Sequence, residues 1–273
     1  MKRYLSSSPG ILFCLYLSVM PLSAEPVVEI KTTAGTIKIK LYDDTPNHAR
    51  TFIRRAGQGL FNGTLFTRVI PGFMIQGGAP DSKNAAPGAR TGFGDPASEI
   101  MPEFNDKYIH KKGALAAPRQ DAGINPKKKS DMSQFFIVQG KVYTHGQLDT
   151  LELAANRNIR KKAMEEFYYS VKARMDSLLH TDKQSYNRHV IAINAKIDSM
   201  IRVTPGHLIF TPQQREAYTT AGGSPHLDGE YTVYGEMTEG FEVLDAIAAQ
   251  PRDAYDRPKK DIRIISVQII GNE

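Results

Sequence analysis

The stretch that most limits the fold of this chain runs from residue 66 to residue 78 and reads FTRVIPGFMIQGG. Two short apolar runs flank Pro71-Gly72, and Gly77-Gly78 end the second run. Proline presets a turn φ and glycine tolerates a positive φ, so Pro71-Gly72 is typical of a tight turn. The sequence therefore predicts a strand, a turn and a second strand.

One charged residue, Arg68, interrupts this apolar stretch. Alternation along a strand would place Phe66, Arg68 and Ile70 on one face. Arg68 is then either an ordinary solvated side chain or a guanidinium held beside Phe73 and Met74. An arginine offers several donors in a fixed fork, which suits binding to a carbonyl or a planar amide.

Three further stretches narrow the choice between these two roles of Arg68. They read GALAAP at 113–118, SQFFIVQ at 133–139 and HLDGEYTVYG at 226–235. In this order, and after FTRVIPGFMIQGG, they resemble the cyclophilins, a family of peptidyl-prolyl cis–trans isomerases. The resemblance covers about Val27 to Ile269, apart from one long insertion.

The resemblance implies a mainly β fold, a closed antiparallel barrel capped by two helices. The residue pattern agrees with it, because alternating apolar runs bounded by turn residues predict strands near both ends of the chain. Closure would leave no strand edge exposed. Predicted strands cover about 26–31, 36–42, 66–70, 73–76, 113–117, 135–138, 231–234 and 262–270, and predicted capping helices cover about 46–56 and 240–248.

The spacing of apolar residues becomes helical in the middle of the chain. From Gly146 to about Met200 they recur every three or four positions, and a further short helix is predicted at Pro212 to Tyr218. This predicts a helical hairpin inserted into the barrel domain, 25–273, at about 146–222. His180-Thr181-Asp182 is either a turn between two helices or part of one long helix. The insertion either packs on the barrel or on itself, or presents an apolar face and a basic face to a client or partner.

The N-terminal 24 residues have the pattern of a secretory signal peptide. Lys2 and Arg3 precede an apolar run from Ile11 to Met20, and Leu22-Ser23-Ala24 offers a small-residue cleavage site. The single cysteine of the chain, Cys14, lies in this run. We therefore expect export across the inner membrane, most simply to a periplasm. No other run reaches the ~18 apolar residues of a membrane span.

The resemblance also implies a mechanism. Arg68 would donate to the imide nitrogen of an X-Pro bond, or to the carbonyl before it, and so stabilise the twisted amide. Gln76 would orient Arg68 and hold the substrate backbone. The residues that would form the proline pocket are Phe73, Met74, Phe136 and Leu227, and Gln134 would line the same groove. Pro118 and Arg119 occupy the positions where the family pairs with the peptide strand that precedes proline. His226 and Tyr231 are the remaining implied site residues.

Some positions depart from the family pattern. His226 stands where many eukaryotic relatives carry tryptophan, and the chain contains no tryptophan. The resemblance therefore implies weak cyclosporin binding. Tyr231 stands where many relatives carry histidine, and bacterial-type cyclophilins resemble this chain at that position. Pro118-Arg119 replaces the common Ala-Asn, and Pro118 lacks an N–H for the substrate backbone.

Other kinds of site find no support in the sequence. The seven histidines show no His-x-x-x-His pair and have no cysteine partner for zinc. Lys127-Lys128-Lys129 is too short a basic run to indicate nucleic-acid binding. We therefore expect no cofactor, no metal and no nucleic acid. Two functions remain, an isomerase acting on proline-containing peptides and unfolded proteins, and a peptide-binding chaperone or scaffold acting mainly through the insertion.

Overall fold

The computed structural model of the protein describes residues 25–272. The predicted signal peptide, 1–24, lies outside the described residues. The strands are β1 (Pro26–Thr32), β2 (Gly35–Leu41), β3 (Phe66–Ile70), β4 (Met74–Gly77), β5 (Glu99–Ile100), β6 (Ala114–Ala116), β7 (Ser130–Asp131), β8 (Phe135–Val138), β9 (Val233–Glu239) and β10 (Ile264–Asn272). The helices are α1 (Pro46–Gly57), α2 (His145–Ala155), α3 (Arg157–Thr181), α4 (Lys183–Val203), α5 (Pro212–Thr220) and α6 (Phe241–Ala248).

Eight strands form one antiparallel sheet in the order β10-β1-β2-β9-β6-β8-β4-β3, and β5 pairs with β7 separately. The sheet curls into a half-barrel, so the predicted closure is wrong. Near the ends of β3 and β10 the Phe66 N–H donates to the Ile262 carbonyl at 3.0 Å. Further along β3, however, the Val69 N–H donates to the Asp256 carbonyl at 2.8 Å. The loop before β10 thus covers this edge of β3 in place of a strand.

The expectation of a mainly β chain is also only partly correct, because the helices of the described residues hold more residues than the strands. The sheet itself has two apolar faces. Its inner face packs against α1 and α6 through residues such as Phe52, Ile137 and Leu244, all fully buried. The other face carries what we call the outer cluster. It consists of Tyr42, Met74, Ala114, Ala116, Phe136, Val138, Leu227 and Val233, with Ile70, Phe73, Tyr108 and Tyr231 packed against them.

The insertion has two parts. The base, α2 and α5, packs on the barrel through buried Leu148 and Tyr218, which meet Ile109 and Tyr143. The arm, α3 and α4, has a core of its own. That core consists of Ala163, Ile197 and Ile201, with Ile159, Ile193 and Met200 packed against it.

The arm is the predicted helical hairpin. Arg160 near the start of α3 bonds Asp198 near the end of α4 at 2.7 Å, so the helices run antiparallel. Of the two readings for 180–182, the turn is the one observed. Asp182 ends α3 and caps α4, accepting from the Ser185 N–H at 3.0 Å.

Candidate functional site

The register of three strands brings the central site residues into one row. Arg68 on β3 lies opposite Gln76 on β4, and Gln76 lies opposite Phe136 on β8. The row continues to Ala116 on β6. Directly opposed residues on neighbouring strands have side chains on the same face. The sheet therefore places a cation, an amide and an aromatic ring side by side on its outer face.

The predicted sharing of a face by Phe66 and Arg68 is wrong. The pairing of β3 with β4 shifts register between these two residues, which marks a bulge or a similar irregularity. Phe66 is fully buried in the inner core, whereas Ile70 contacts the outer cluster. In a regular strand, residues two positions apart lie on the same face. Because of the irregularity, Phe66 points inward although Arg68, two positions later, points outward.

Arg68 is partly exposed, with 45% of its side chain open to solvent. Its Nε lies 3.5 Å from Oδ2 of Asp256, and the other oxygen of Asp256 lies 3.0 Å from Nε of Arg252. No hydrogen bond involves the two terminal nitrogens of Arg68 within residues 25–272. Asp256 is a site residue that sequence reasoning missed, because it reaches β3 only through the loop before β10.

Two glutamines form a directed pair beside Arg68. The Gln76 amide donates to Oε1 of Gln134 at 2.9 Å. Nε2 of Gln134 donates in turn to Oδ2 of Asp131 at 3.0 Å. Because a carboxylate only accepts, Asp131 fixes which end of the Gln134 amide faces Gln76. Gln76 and Gln134, both predicted to belong to the site, thus contact each other. Asp131 is a second residue that the sequence did not indicate.

The four residues predicted to form the proline pocket lie together. Met74, Phe136 and Leu227 are buried members of the outer cluster, and Phe73 packs against it half-buried. Tyr231 meets the ring of Phe136 edge-on, with ring centroids 5.8 Å apart. A mostly apolar lining with a few directed polar groups at its side is typical of small-ligand sites.

The remaining predicted residues lie around this cluster. The exposed His226 ring lies 5.4 Å from the Phe73 ring, at the margin of the cluster. Pro118 is buried, and its carbonyl accepts from the Asp131 N–H at 2.8 Å. The Arg119 guanidinium bonds the Glu230 carboxylate at 2.8 Å and lies 4.7 Å above the Tyr231 ring. The guanidinium of Arg119 is therefore paired within the protein, and the role of Arg119 in substrate binding stays a prediction.

A buried Ser–His–Glu chain lies outside the outer cluster. Nδ1 of His48 lies 2.6 Å from Oε2 of Glu103, and Nε2 lies 2.9 Å from the Ser130 hydroxyl. This order resembles a hydrolytic triad, but Ser130 is only 2% exposed and cannot reach a substrate. Glu103 also accepts the N–H groups of Asn47 and His48. Glu103 therefore caps the start of α1.

Burial and hydrogen bonding shift the pKa values of His48 and Glu103 in this Ser–His–Glu chain. Burial lowers the pKa of His48, against the opposing hydrogen bond to Glu103. Burial alone would raise the pKa of Glu103, but hydrogen bonds from the His48 ring and from the α1 backbone outweigh it and leave that pKa lowered. We infer a neutral imidazole that donates from Nδ1 to an ionised carboxylate.

The described part of the chain shows neither a candidate metal-binding group nor a membrane-spanning helix. Residues 25–272 contain no group of three or more His, Cys, Asp or Glu side chains that could hold a metal ion. Over the same residues, no helix combines the length and the apolar character needed to cross a bilayer.

Comparisons with known proteins agree on one family. The family model for the cyclophilin type peptidyl-prolyl cis-trans isomerase matches residues 27–168 and 212–269. A putative peptidyl-prolyl cis-trans isomerase of Staphylococcus saprophyticus is 26% identical over 240 residues, which cover 88% of this chain and 89% of that protein. A putative bifunctional phosphatase/peptidyl-prolyl cis-trans isomerase of Streptococcus pyogenes is 28% identical over 247 residues. This chain spans only 38% of that longer protein.

Solved structures give the same fold. A cyclophilin type isomerase of Cryptosporidium parvum superposes with a TM-score of 0.52 at 19% identity, covering 91% of this chain and 99% of the other. A structure of that protein in the presence of the dipeptide Ala-Pro superposes with a TM-score of 0.51, also at 19% identity, and covers 90% of this chain. The family match spans most of the chain and includes the motifs around Arg68, Phe136 and Leu227. The chain therefore belongs to the cyclophilin-type peptidyl-prolyl cis–trans isomerases.

Proposed function

We propose that the outer cluster binds the proline ring of a polypeptide and that Arg68 stabilises the twisted X-Pro amide. Rotation about a peptide bond meets a barrier of ~18–20 kcal/mol, which arises from amide resonance. The unaided X-Pro reaction takes tens to hundreds of seconds. Lowering that barrier needs neither a nucleophile nor a metal. It needs groups that bind the twisted amide better than either planar form.

The observation that carries this proposal is the row Arg68–Gln76–Phe136 across three strands. Phe136, with Met74 and Leu227 beside it, offers an apolar surface to a proline ring. An amide bond lying across this surface would reach Gln76 and Arg68 in the next two strands. Arg68 thus lies one strand beyond Gln76, and neighbouring strands are about 5 Å apart.

The surroundings of Arg68 suit a donor that acts in the transition state. Asp256 faces its Nε and leaves the two terminal NH₂ groups to a substrate. A deconjugated amide nitrogen carries a lone pair that a guanidinium N–H can bond, whereas a planar amide nitrogen does not. Preorganised donors of this kind are commonly the largest single contribution to catalysis.

The substrate class follows from the same surface. Proline-containing segments of unfolded or folding proteins present the ring and the preceding carbonyl together. The Ala-Pro dipeptide in the Cryptosporidium parvum structure supports this class. Because His226 lies at the cluster margin beside Phe73, where many relatives carry tryptophan, we expect weak cyclosporin binding.

The site of action is part of the proposal. The N-terminal pattern of a basic start, an apolar run and a small-residue end supports export. We propose that the protein assists the folding of secreted or envelope proteins in the periplasm. Cell fractionation with N-terminal sequencing tests this, and recovery of an uncleaved chain in the cytoplasm would contradict it.

Exchange NMR on a short Ala-Pro peptide tests the isomerase mechanism. We expect wild type to accelerate exchange and Arg68→Ala to lose about 10²- to 10³-fold in kcat/KM, as for removal of one transition-state donor. Arg90→Ala is the matched control, since Arg90 is also a surface arginine but stacks over Phe93 and Tyr255. Equal activity of Arg68→Ala and wild type would refute the assigned role.

A second candidate function, client binding by the arm, is favoured by one observation. Tyr169 and Ile191 on the arm are 69% and 70% exposed. Such side chains offer non-directional contact to an unfolded chain. A Tyr169→Ser and Ile191→Ser double variant should then suppress client aggregation less well than wild type. Unchanged suppression would remove this function from the arm.

A further inference from the structure

One residue of the insertion base is connected to the outer cluster by an unbroken series of contacts. Tyr218 on α5 is fully buried, and its hydroxyl donates to Oδ2 of Asp228 at 2.5 Å. Burial raises the pKa of Tyr218 far above its ordinary value, so the phenol stays a donor. Asp228 directly follows Leu227, which belongs to the outer cluster. The insertion therefore reaches the turn that carries a pocket residue.

The second oxygen of Asp228 binds a histidine that sequence reasoning did not assign to the site. Oδ1 accepts both the backbone N–H and the ring Nδ1 of His110, each at 2.9 Å. The side chain of His110 is only 1% exposed. Its Nε2 is buried and has no hydrogen-bond partner within residues 25–272. The orientation of this ring is therefore set from the Nδ1 side, by Asp228.

The His110 ring in turn supports the pocket. It lies nearly parallel to the Phe136 ring, at 10° and 6.1 Å between centroids. It also meets Tyr231 edge-on, with centroids 6.4 Å apart. A rotation of His110 would move the surface on which Phe136 rests. Close-packed interiors transmit such displacements because they contain few voids to absorb them.

The backbone at the end of the insertion holds the same region together. The Ser224 N–H donates to the His110 carbonyl at 2.8 Å. Gly223 pairs with both Lys111 and Lys141, and a Cβ on Gly223 would lie 2.4 Å from the His110 carbonyl oxygen. This close approach requires glycine. The segment that follows α5 is thus fixed to the residues beside the pocket.

We infer that Tyr218 is a positioning residue for the proline pocket, acting through Asp228 and His110 on Phe136 and the Leu227 turn. The inference rests on the proposed function. On this inference, the base of the insertion positions residues of the proline pocket, whereas the arm does not. Because Arg68 lies on β3, outside this series of contacts, we expect substrate affinity to change more than turnover.

The test compares Tyr218→Phe with wild type in exchange NMR on an Ala-Pro peptide. We expect KM to rise about 3- to 10-fold, while kcat stays within about twofold of the wild-type value. This change is smaller than the ~100-fold loss of activity that a 1 Å displacement of a catalytic group can cause. The Phe136 ring resonances should shift as well. Tyr143→Phe is the matched control. Its ring lies 6.4 Å from that of Tyr218, and its hydroxyl makes no hydrogen bond within residues 25–272.

The two claims fail in different ways. If wild type is active and Tyr218→Phe keeps both KM and the Phe136 resonances of wild type, the positioning role is refuted. If wild type is inactive, the proposed function fails, and the Phe136 and His110 ring resonances still decide whether Tyr218 reaches the pocket. Thermal unfolding first establishes that each variant is folded. Should Tyr218→Phe not fold, Asp228→Asn replaces it with the same expected rise in KM.

Discussion

Apolar side chains line the candidate site and also lie exposed on the arm, but the two regions are built differently. In the site, the register of three strands fixes Arg68, Gln76 and Phe136 in one row. In the arm, Tyr169 and Ile191 lie exposed on separate helices. Differential binding of two forms of one bond requires fixed, directed groups. Exposed apolar area alone therefore does not indicate a catalytic surface, whereas fixed polar side chains beside an apolar cluster, such as Arg68 and Gln76, do.

The largest expected effect tests whether the two regions are independent. Ile197 is fully buried in the arm core, so Ile197→Ala should destabilise the arm by about 2–5 kcal/mol. Because this core is separate from the two barrel clusters, kcat/KM for a short peptide should stay within about twofold. Hydrogen exchange of α3 and α4 amides, with peptide kinetics, measures both. Ile191→Ala, at a position 70% exposed, is the control. A matching loss of activity would show that arm and site are coupled.

The next effect separates geometry from charge in the site. Arg68→Lys keeps the cation but loses the planar fork. We expect kcat/KM to fall about tenfold, equivalent to ~1.4 kcal/mol, with KM less affected than kcat. Peptide exchange kinetics measure this, with Arg90→Lys as the control. Full activity of Arg68→Lys would mean that any nearby positive charge suffices and that the row is not needed.

A third prediction concerns acid and applies to the barrel. The pKa of His48 is lowered in the folded state, whereas the unfolded chain titrates near 6.5. As the pH falls below ~6.5 the unfolded state binds a proton that the folded state does not, so stability falls by up to ~1.4 kcal/mol per pH unit. The lowered pKa of Glu103 acts in the same direction at lower pH.

Denaturant unfolding between pH 7 and pH 5 measures this slope. His48→Gln should flatten it, and His145→Gln, on the exposed start of α2, controls for the loss of one histidine. The arm, which does not contain His48, should keep its hydrogen-exchange protection over the same range. An unchanged slope in His48→Gln would contradict the prediction.

The smallest effect concerns Asp256, which holds Nε of Arg68. Both side chains are partly exposed, and such ion pairs contribute about 0–1 kcal/mol. Asp256→Asn should therefore lower kcat only about two- to threefold. The deficit should shrink in high salt, where the wild-type pair is screened. Asp106→Asn, at an exposed position, is the control. A rise in activity would instead mean that Asp256 competes with the substrate for Arg68.

Much of the barrel could be predicted from local patterns. The turn between β3 and β4 was indicated by Pro71-Gly72, and Gly72 has the expected positive φ of 71°. The start of α2 is also marked by a local pattern, since Thr144 and Gln147 form a reciprocal capping box. Such features depend on neighbours within a few residues. They are therefore readable from the chain alone.

The failures involve residues far apart in sequence. Glu103 caps α1 from 55 residues beyond His48, which no local pattern reports. The register shift that turns Phe66 inward exists only once β3 is paired with β4. Likewise, Asp256 and His110 become site residues only through the curl of the sheet and the return of the chain after the insertion. Tertiary pairing, rather than propensity, decides these positions.

Asn156 joins the two ends of the arm. Its side chain accepts the Leu208 N–H at 2.8 Å and donates to the Leu208 carbonyl at 2.6 Å, so it mimics a strand partner. The chain leaves the base at Asn156 and returns to it at Leu208, with the whole arm between. Because the two ends are held together there, the length of the arm does not set the distance between the helices of the base. This junction is therefore the place at which a protein engineer would graft another appendage onto the isomerase scaffold.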